Sequence, residues 1–220
     1  MKKYEKFFFM LGLILCASEI GKQLLLTFSV NAGVYDWWHF PFQLCSLPMY
    51  LLTALPFLKS NTAKDTILTF LMTFSLLGGI AVFFDTSGMR YPLLLLTVHS
   101  YVWHILLIAI GICSALLCLH LPAKDSRGPR LPWLRFFYTV LLYGFFCLTA
   151  TAINLVVTPF RNINMFYINP AYPMEQVFFE NIAHRIGNAA GIAAYILATI
   201  LGSALLFAFW RTLGKRMARH

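Results

Sequence analysis

Residues 92–119 read PLLLLTVHSYVWHILLIAIGICSALLCL and contain no Asp, Glu, Lys or Arg. A helix advances about 1.5 Å per residue, so about 20 mostly apolar residues cross roughly 30 Å of hydrocarbon. The apolar character is continuous, unlike the ten-residue alternation of a membrane β-strand. Stretches 6–29, 39–58, 65–84, 132–157 and 187–210 have the same character. The chain of 220 residues is 60% hydrophobic and 11% charged. Soluble domains hold about 45–50% apolar and about 25% charged residues. A soluble enzyme, a nucleic-acid binder and a disordered tail are therefore poor readings. The expectation is an all-α polytopic protein, one integral membrane domain of six transmembrane helices, with a long outer connection at 158–186.

Lys and Arg placement sets the orientation, because cytoplasmic loops collect them. With both termini inside, the inner segments hold thirteen of the seventeen: Lys2, Lys3, Lys6, Lys59, Lys64, Lys124, Arg127, Arg130, Arg135, Arg211, Lys215, Arg216 and Arg219. Arg90, Arg161 and Arg185 fall outside and Lys22 within the first span. The expected location is the cell membrane, multi-pass, with cytoplasmic termini. Basic inner loops facing anionic headgroups account for the net charge of +9 without nucleic acid.

Met1–Lys6 followed by Phe7–Ala17 resembles a signal peptide, but the apolar run continues past Cys16 to Ser29, which favours an uncleaved first span. All five cysteines lie within spans, with no CxxC pair and no zinc spacing; Cys118 and His120 read as an interfacial pair. Residues 121–131 form a polar cytoplasmic hinge. Gly187 and Gly191 mark a small-residue face for helix–helix association on the last span. Trp37, Trp38 and Trp210 read as interfacial anchors. Pro41, Pro48 and Pro56 make the second helix the one expected to bend.

Hydrocarbon penalises ionisable groups by several kcal/mol, so polar residues inside spans ask for a partner or a purpose. Straight helices place Cys45 about 9 Å below the outer surface, His99 about 11 Å, Gln23 about 9 Å, Glu19 about 15 Å and Asn154 about 5 Å. This shared outer-half depth, from four helices, marks a candidate site. A thiolate nucleophile needs a base, and the base needs an orienting group. Cys45 supplies the nucleophile, His99 the base, and Glu19 or Asn154 the support; Gln43 or a freed backbone N–H holds the oxyanion. The plainer readings are a packing cysteine, a neutralising Glu19–Lys22 pair on one helix face, and an asparagine tying helices together. His99 and His104 are about 140° apart around their helix, so at most one faces a given site; His104 reads as a buried histidine satisfied by a hydroxyl. In the long outer connection, a lid or an interfacial cover, Arg161 is placed to bind a lipid phosphate or to anchor by snorkelling.

The run Phe40-Pro41-Phe42-Gln43-Leu44-Cys45-Ser46 resembles the Leu-Pro-Leu-His-Leu-Cys-Ser motif of the YwaF-like bacterial membrane proteins. Glu19, His99, Asn154 and the segment Asn162 to Tyr167 follow in the matching order. That family is similar to a eukaryotic acyltransferase acting on ether phospholipids, with a cysteine as acyl carrier, and distantly to six-helix threonine hydrolases of fatty-acid esters. The resemblance implies Cys45 as nucleophile and His99 as base. The chain departs from the motif at Gln43, which replaces a histidine and cannot act as a base; His39, about 120° away around the helix, is poorly placed to substitute.

Two functions follow as expectations. One is lipid acyl transfer or acyl-ester hydrolysis through Cys45 and His99. The other is a small transporter or a lipid- or solute-binding accessory protein, with Glu19, Lys22, Gln23 and Asn154 lining a polar cavity open to the outside. Membrane lipids are the expected partners. No cofactor or metal is expected, since Walker and Rossmann glycine patterns are lacking.

Overall fold

The computed structural model describes residues 2–120 and 131–217. The hinge expected at 121–131, with Lys124, Arg127 and Arg130, lies outside them except for Leu131, as does Arg219. Among the described residues the fold is helical without strands. Helix α1 (Lys3–Leu24) continues through a wide turn, Leu25–Val30, and α2 spans Leu47–Ala54. Helices α3 (Asn61–Phe70) and α4 (Leu76–Ala81) are joined by a wide turn at Leu71–Ser75. Then come α5 (Leu94–His120), α6 (Trp133–Val157), α7 (Phe179–Ile186) and α8 (Asn188–Met217). Among the described residues five runs are long and apolar enough to cross a membrane: Lys3–Val30, Asn61–Ala81, Leu94–His120, Trp133–Val157 and Asn188–Met217.

The stretch at 39–58 departs from the helix expected there. Apart from His39, which ends a short 3-10 turn (Trp37–His39), only Leu47–Phe57 is helical, and residues 40–46 are irregular. The prolines explain the boundaries. Pro48 sits in the first turn of α2, where a missing N–H is harmless, and Pro56 lies in the closing turn. Pro41 precedes a chain reversal in which Phe42 N–H donates to Phe40 at 2.7 Å and Ser46 N–H to Gln43 at 2.9 Å. Irregular backbone at this depth survives only inside protein.

Run α3–α4 is the enclosed centre. Phe70 and Phe74 stack at 5.2 Å, and Phe74 meets Tyr143 of α6 at 4.6 Å. The wide turn frees a carbonyl from the helical ladder, and the Trp210 indole donates to Met72 O at 3.2 Å. Trp210 is therefore buried rather than interfacial. The reason is length, because α8 runs on to Met217. Gly111 permits a close helix contact, since a Cβ there would lie 2.7 Å from Leu76 Cβ.

At the end carrying Lys2 and Lys64, Glu5 accepts from Lys2 N–H at 2.8 Å and from Lys64 at 2.7 Å, while Arg135 meets Asp65 at 2.7 Å. Gly187 is not on the last helix: with φ +104 it forms the turn between α7 and α8. Gly191 does take a close approach, against Ala183 of α7 in the same chain.

Candidate active site

Cys45 lies just before Ser46, the residue that precedes α2. Its carbonyl accepts from the Trp103 indole at 3.1 Å, which fixes the turn against α5. The thiol lies beside the side chain of His104. His104 Nδ1 lies 2.8 Å from Ser100 O. A carbonyl only accepts, so Nδ1 carries the proton and, in the neutral ring, Nε2 is the nitrogen left to act as a base.

The imidazole meeting Cys45 is thus His104, where the sequence pointed to His99. His99 Nε2 instead pairs with Ser18 Oγ of α1 at 2.8 Å, and its ring lies 5.6 Å from that of Trp103. The reason is depth and angle together. Residues 40–46 turn back on themselves instead of continuing a helix, so the straight-helix depth expected for Cys45 does not apply. The five-residue offset turns the other imidazole toward α1.

Neither amide has the role expected of it. Gln43 Nε2 donates to Asn164 O at 2.9 Å, and its Oε1 accepts from Phe166 N–H at 2.7 Å. Asn154 is fully buried and treats Met165 likewise, donating to its carbonyl at 3.0 Å and accepting from its N–H at 2.7 Å. A primary amide with one donor and one acceptor directed at backbone imitates a neighbouring strand. Gln43 is therefore occupied as a clamp and is no free oxyanion donor, and Asn154 supports the loop instead of an imidazole.

The clamped loop plugs the bundle. Ile163, Asn164, Met165, Phe166, Ile168 and Asn169 are buried. Phe166 and Tyr167 both take left-handed backbone, φ 59 and φ 57, which costs about 1–3 kcal/mol per residue and persists where surroundings over-determine it. The Phe166 ring fills the space between Phe42 and Tyr143. Tyr91, Tyr167 and Tyr195 come close enough to feel charge on the Cys45 sulfur. Sequence reading named Tyr167 only as the end of the Asn162–Tyr167 segment and passed over Tyr91 and Tyr195, which come from separate parts of the chain.

Glu19 is also not behind the histidine. It is buried, paired with Lys22 at 2.8 Å, and accepts from Gln23 at 2.7 Å; Gln23 donates as well to His39 O at 2.7 Å. The Glu19–Lys22 pair neutralises itself, as its spacing suggested. Beside it a groove of about 510 Å³ runs between α1 and the second segment, with Cys16, Glu19, Gln23, Phe28, Pro41 and Tyr50 among its walls. Arg161 is exposed, with Nη1 on Phe160 O at 2.8 Å. Cys118 is buried, and His120 Nδ1 lies 2.8 Å from Leu116 O, within its own helix. Among the described residues no three His, Cys, Asp or Glu side chains gather as metal ligands.

In chemical terms the site holds a thiol, an imidazole with a fixed tautomer, and phenols around them, closed from one side by a plugged loop. The chain matches no protein-family model, no curated protein and no solved structure.

Proposed function

We propose that this chain is a six-span cell-membrane protein, with both termini in the cytoplasm, that transfers or hydrolyses lipid acyl groups through Cys45 with His104 as base. The short helix α2 and the irregular 40–46 make the sixth crossing, and the excess of Lys and Arg on the inner segments supports the orientation. The observation that carries the chemistry is the meeting of the Cys45 thiol with an imidazole whose far nitrogen is held by Ser100. The resemblance of 40–46 to an acyl-carrying cysteine motif points the same way, with His104 taking the role assigned to His99.

The reaction balances without a cofactor. Cys45 sulfur attacks the acyl carbonyl carbon while His104 Nε2 takes the thiol proton. The ester C–O bond breaks, and His104 returns the proton to the departing lipid oxygen. A water or acceptor hydroxyl then attacks the thioester, passing its proton through His104 to the leaving sulfur. The test is mass spectrometry of the Cys45 peptide after incubation of the bilayer-reconstituted protein with phospholipid carrying a labelled acyl chain. A hydroxylamine-sensitive acyl adduct, absent in His104→Ala, is the expected result; an unmodified Cys45 throughout overturns it.

The groove beside Glu19 and Gln23 favours a second reading, lipid binding without chemistry. Its walls are mostly apolar, and Cys45 is not among them. Under that reading Ile20→Trp in the groove abolishes retention of a photoactivatable lipid, while Cys45→Ala leaves it intact.

A further inference from the structure

Most helical hydroxyls in this chain bond back along their own helix. Thr53, Thr69, Thr73 and Thr199 each donate to the carbonyl four residues earlier, at 2.6–2.9 Å. Ser18 of α1 does otherwise. Among the described residues its side chain makes one hydrogen bond, the 2.8 Å contact with His99 Nε2 of α5. Which group donates follows from the other ring nitrogen, His99 Nδ1, which is buried without a partner among the described residues. If Ser18 donates, only the N–H at Nδ1 is left unmet. If Nε2 donates, the serine O–H has no acceptor and the Nδ1 lone pair has no donor. One unmet group costs less than two, so Ser18 donates its hydrogen to the lone pair of a neutral imidazole. That is the arrangement of a hydroxyl nucleophile and its base, within hydrogen-bond reach of each other.

The surroundings indicate the substrate class. Ser18 and His99 are both half-buried, and the residues flanking them are apolar and exposed: Ile14, one turn before Ser18, and Val98, beside His99. One turn after Ser18, a Cβ added to Gly21 would meet nothing within 4 Å, so the seam between α1 and α5 has open space next to the hydroxyl. His99 lies five residues beyond Leu94, the start of α5, which is about 7.5 Å below the end that the proposed orientation turns outward. A seam of this kind admits a lipid from the side, with its ester near the border between headgroup and hydrocarbon.

We infer that Ser18 and His99 form a second nucleophilic site, separate from Cys45 and His104, that hydrolyses acyl esters of lipids entering between α1 and α5. Ser18 Oγ attacks the acyl carbonyl carbon while His99 Nε2 takes the hydroxyl proton. The ester C–O bond breaks, and the proton passes from His99 to the departing alcohol oxygen. Water then attacks the acyl-serine, its proton passing through His99 to Ser18 Oγ, and the fatty acid leaves. No step uses Cys45.

The probe is a long-chain alkyl fluorophosphonate, which phosphonylates an activated serine with loss of fluoride. It is added to the full chain in phospholipid vesicles, and the adduct is read by peptide mass spectrometry. Ser18 should carry the adduct in wild type and equally in Ser29→Ala, which removes an exposed hydroxyl further along the same run. His99→Gln keeps a side chain able to hydrogen-bond Ser18 but cannot take a proton, and should slow labelling about a hundred-fold. An unlabelled Ser18 beside a labelled serine lipase in the same vesicles overturns the proposal, and so does His99→Gln labelled at the wild-type rate. Release of free fatty acid from labelled phospholipid should fall in Ser18→Ala while acylation of Cys45 continues. Release unchanged in Ser18→Ala overturns the lipid-esterase role; an unacylated Cys45 with Ser18 labelled supports this site and overturns only the acyl-transfer reading.

Discussion

Gln43 accepts the backbone N–H of Phe166 at 2.7 Å, two residues before the thiol that meets His104. The same side chain, in the middle of the irregular 40–46, therefore ties the 158–186 connection to the second segment. In a hydrocarbon setting a clamp of this kind has few substitutes, since water is not at hand to satisfy a freed carbonyl or N–H.

The amides should not tolerate exchange for their acids. Asn154→Asp keeps the shape but loses the donor to Met165 O and sets a carboxylate against a carbonyl. Leaving buried polar groups unpaired costs about 1–3 kcal/mol each. Thermal unfolding in detergent should show a clear loss for Asn154→Asp and a smaller one for Gln43→Glu, which is only partly buried.

The two histidines should separate kinetically. His104→Ala removes the base, and acylation should fall about 10²–10⁴-fold. His99→Ala breaks the bond to Ser18 and the contact with Trp103, whose indole holds Cys45 O, so its effect should stay within about ten-fold of wild type. Single-turnover rates of both variants check this; equal losses would return His99 to the reaction.

Glu19 and Lys22 should be worse apart than absent together. Breaking one half of a buried ion pair costs about 3–5 kcal/mol, while replacing both is nearly neutral. Lys22→Met and Glu19→Gln should each destabilise the protein, and the double variant should recover most of the loss in the same unfolding assay.

Helix contact at Gly111 gives a packing test. Its Cβ would meet Leu76 at 2.7 Å and Leu71 O at 3.0 Å, whereas a Cβ at Gly144 meets nothing within 4 Å. Gly111→Ala should cost about 1–3 kcal/mol through overpacking. Gly144→Ala should be neutral or slightly stabilising, because alanine favours helix by about 1 kcal/mol.

The membrane-helical character was legible in the sequence because it depends on composition over windows of about 20 residues, an additive property that tertiary contacts do not reverse. The limits of α5 and α6 fell within two residues of those expected, and the Glu19–Lys22 pair followed from helical spacing alone. What only the tertiary structure decided was everything that depended on depth and on distant backbone. Three prolines warned of a bend at 39–58 without saying that residues 40–46 would be irregular, nor that Cys45 would meet His104 while His99 paired with Ser18. Gln43 and Asn154 found partners more than a hundred and eleven positions away, respectively, in a loop whose fold no local pattern encodes. Side-chain amides state their capacity to bond in the sequence; which backbone they satisfy is fixed only when the chain closes on itself.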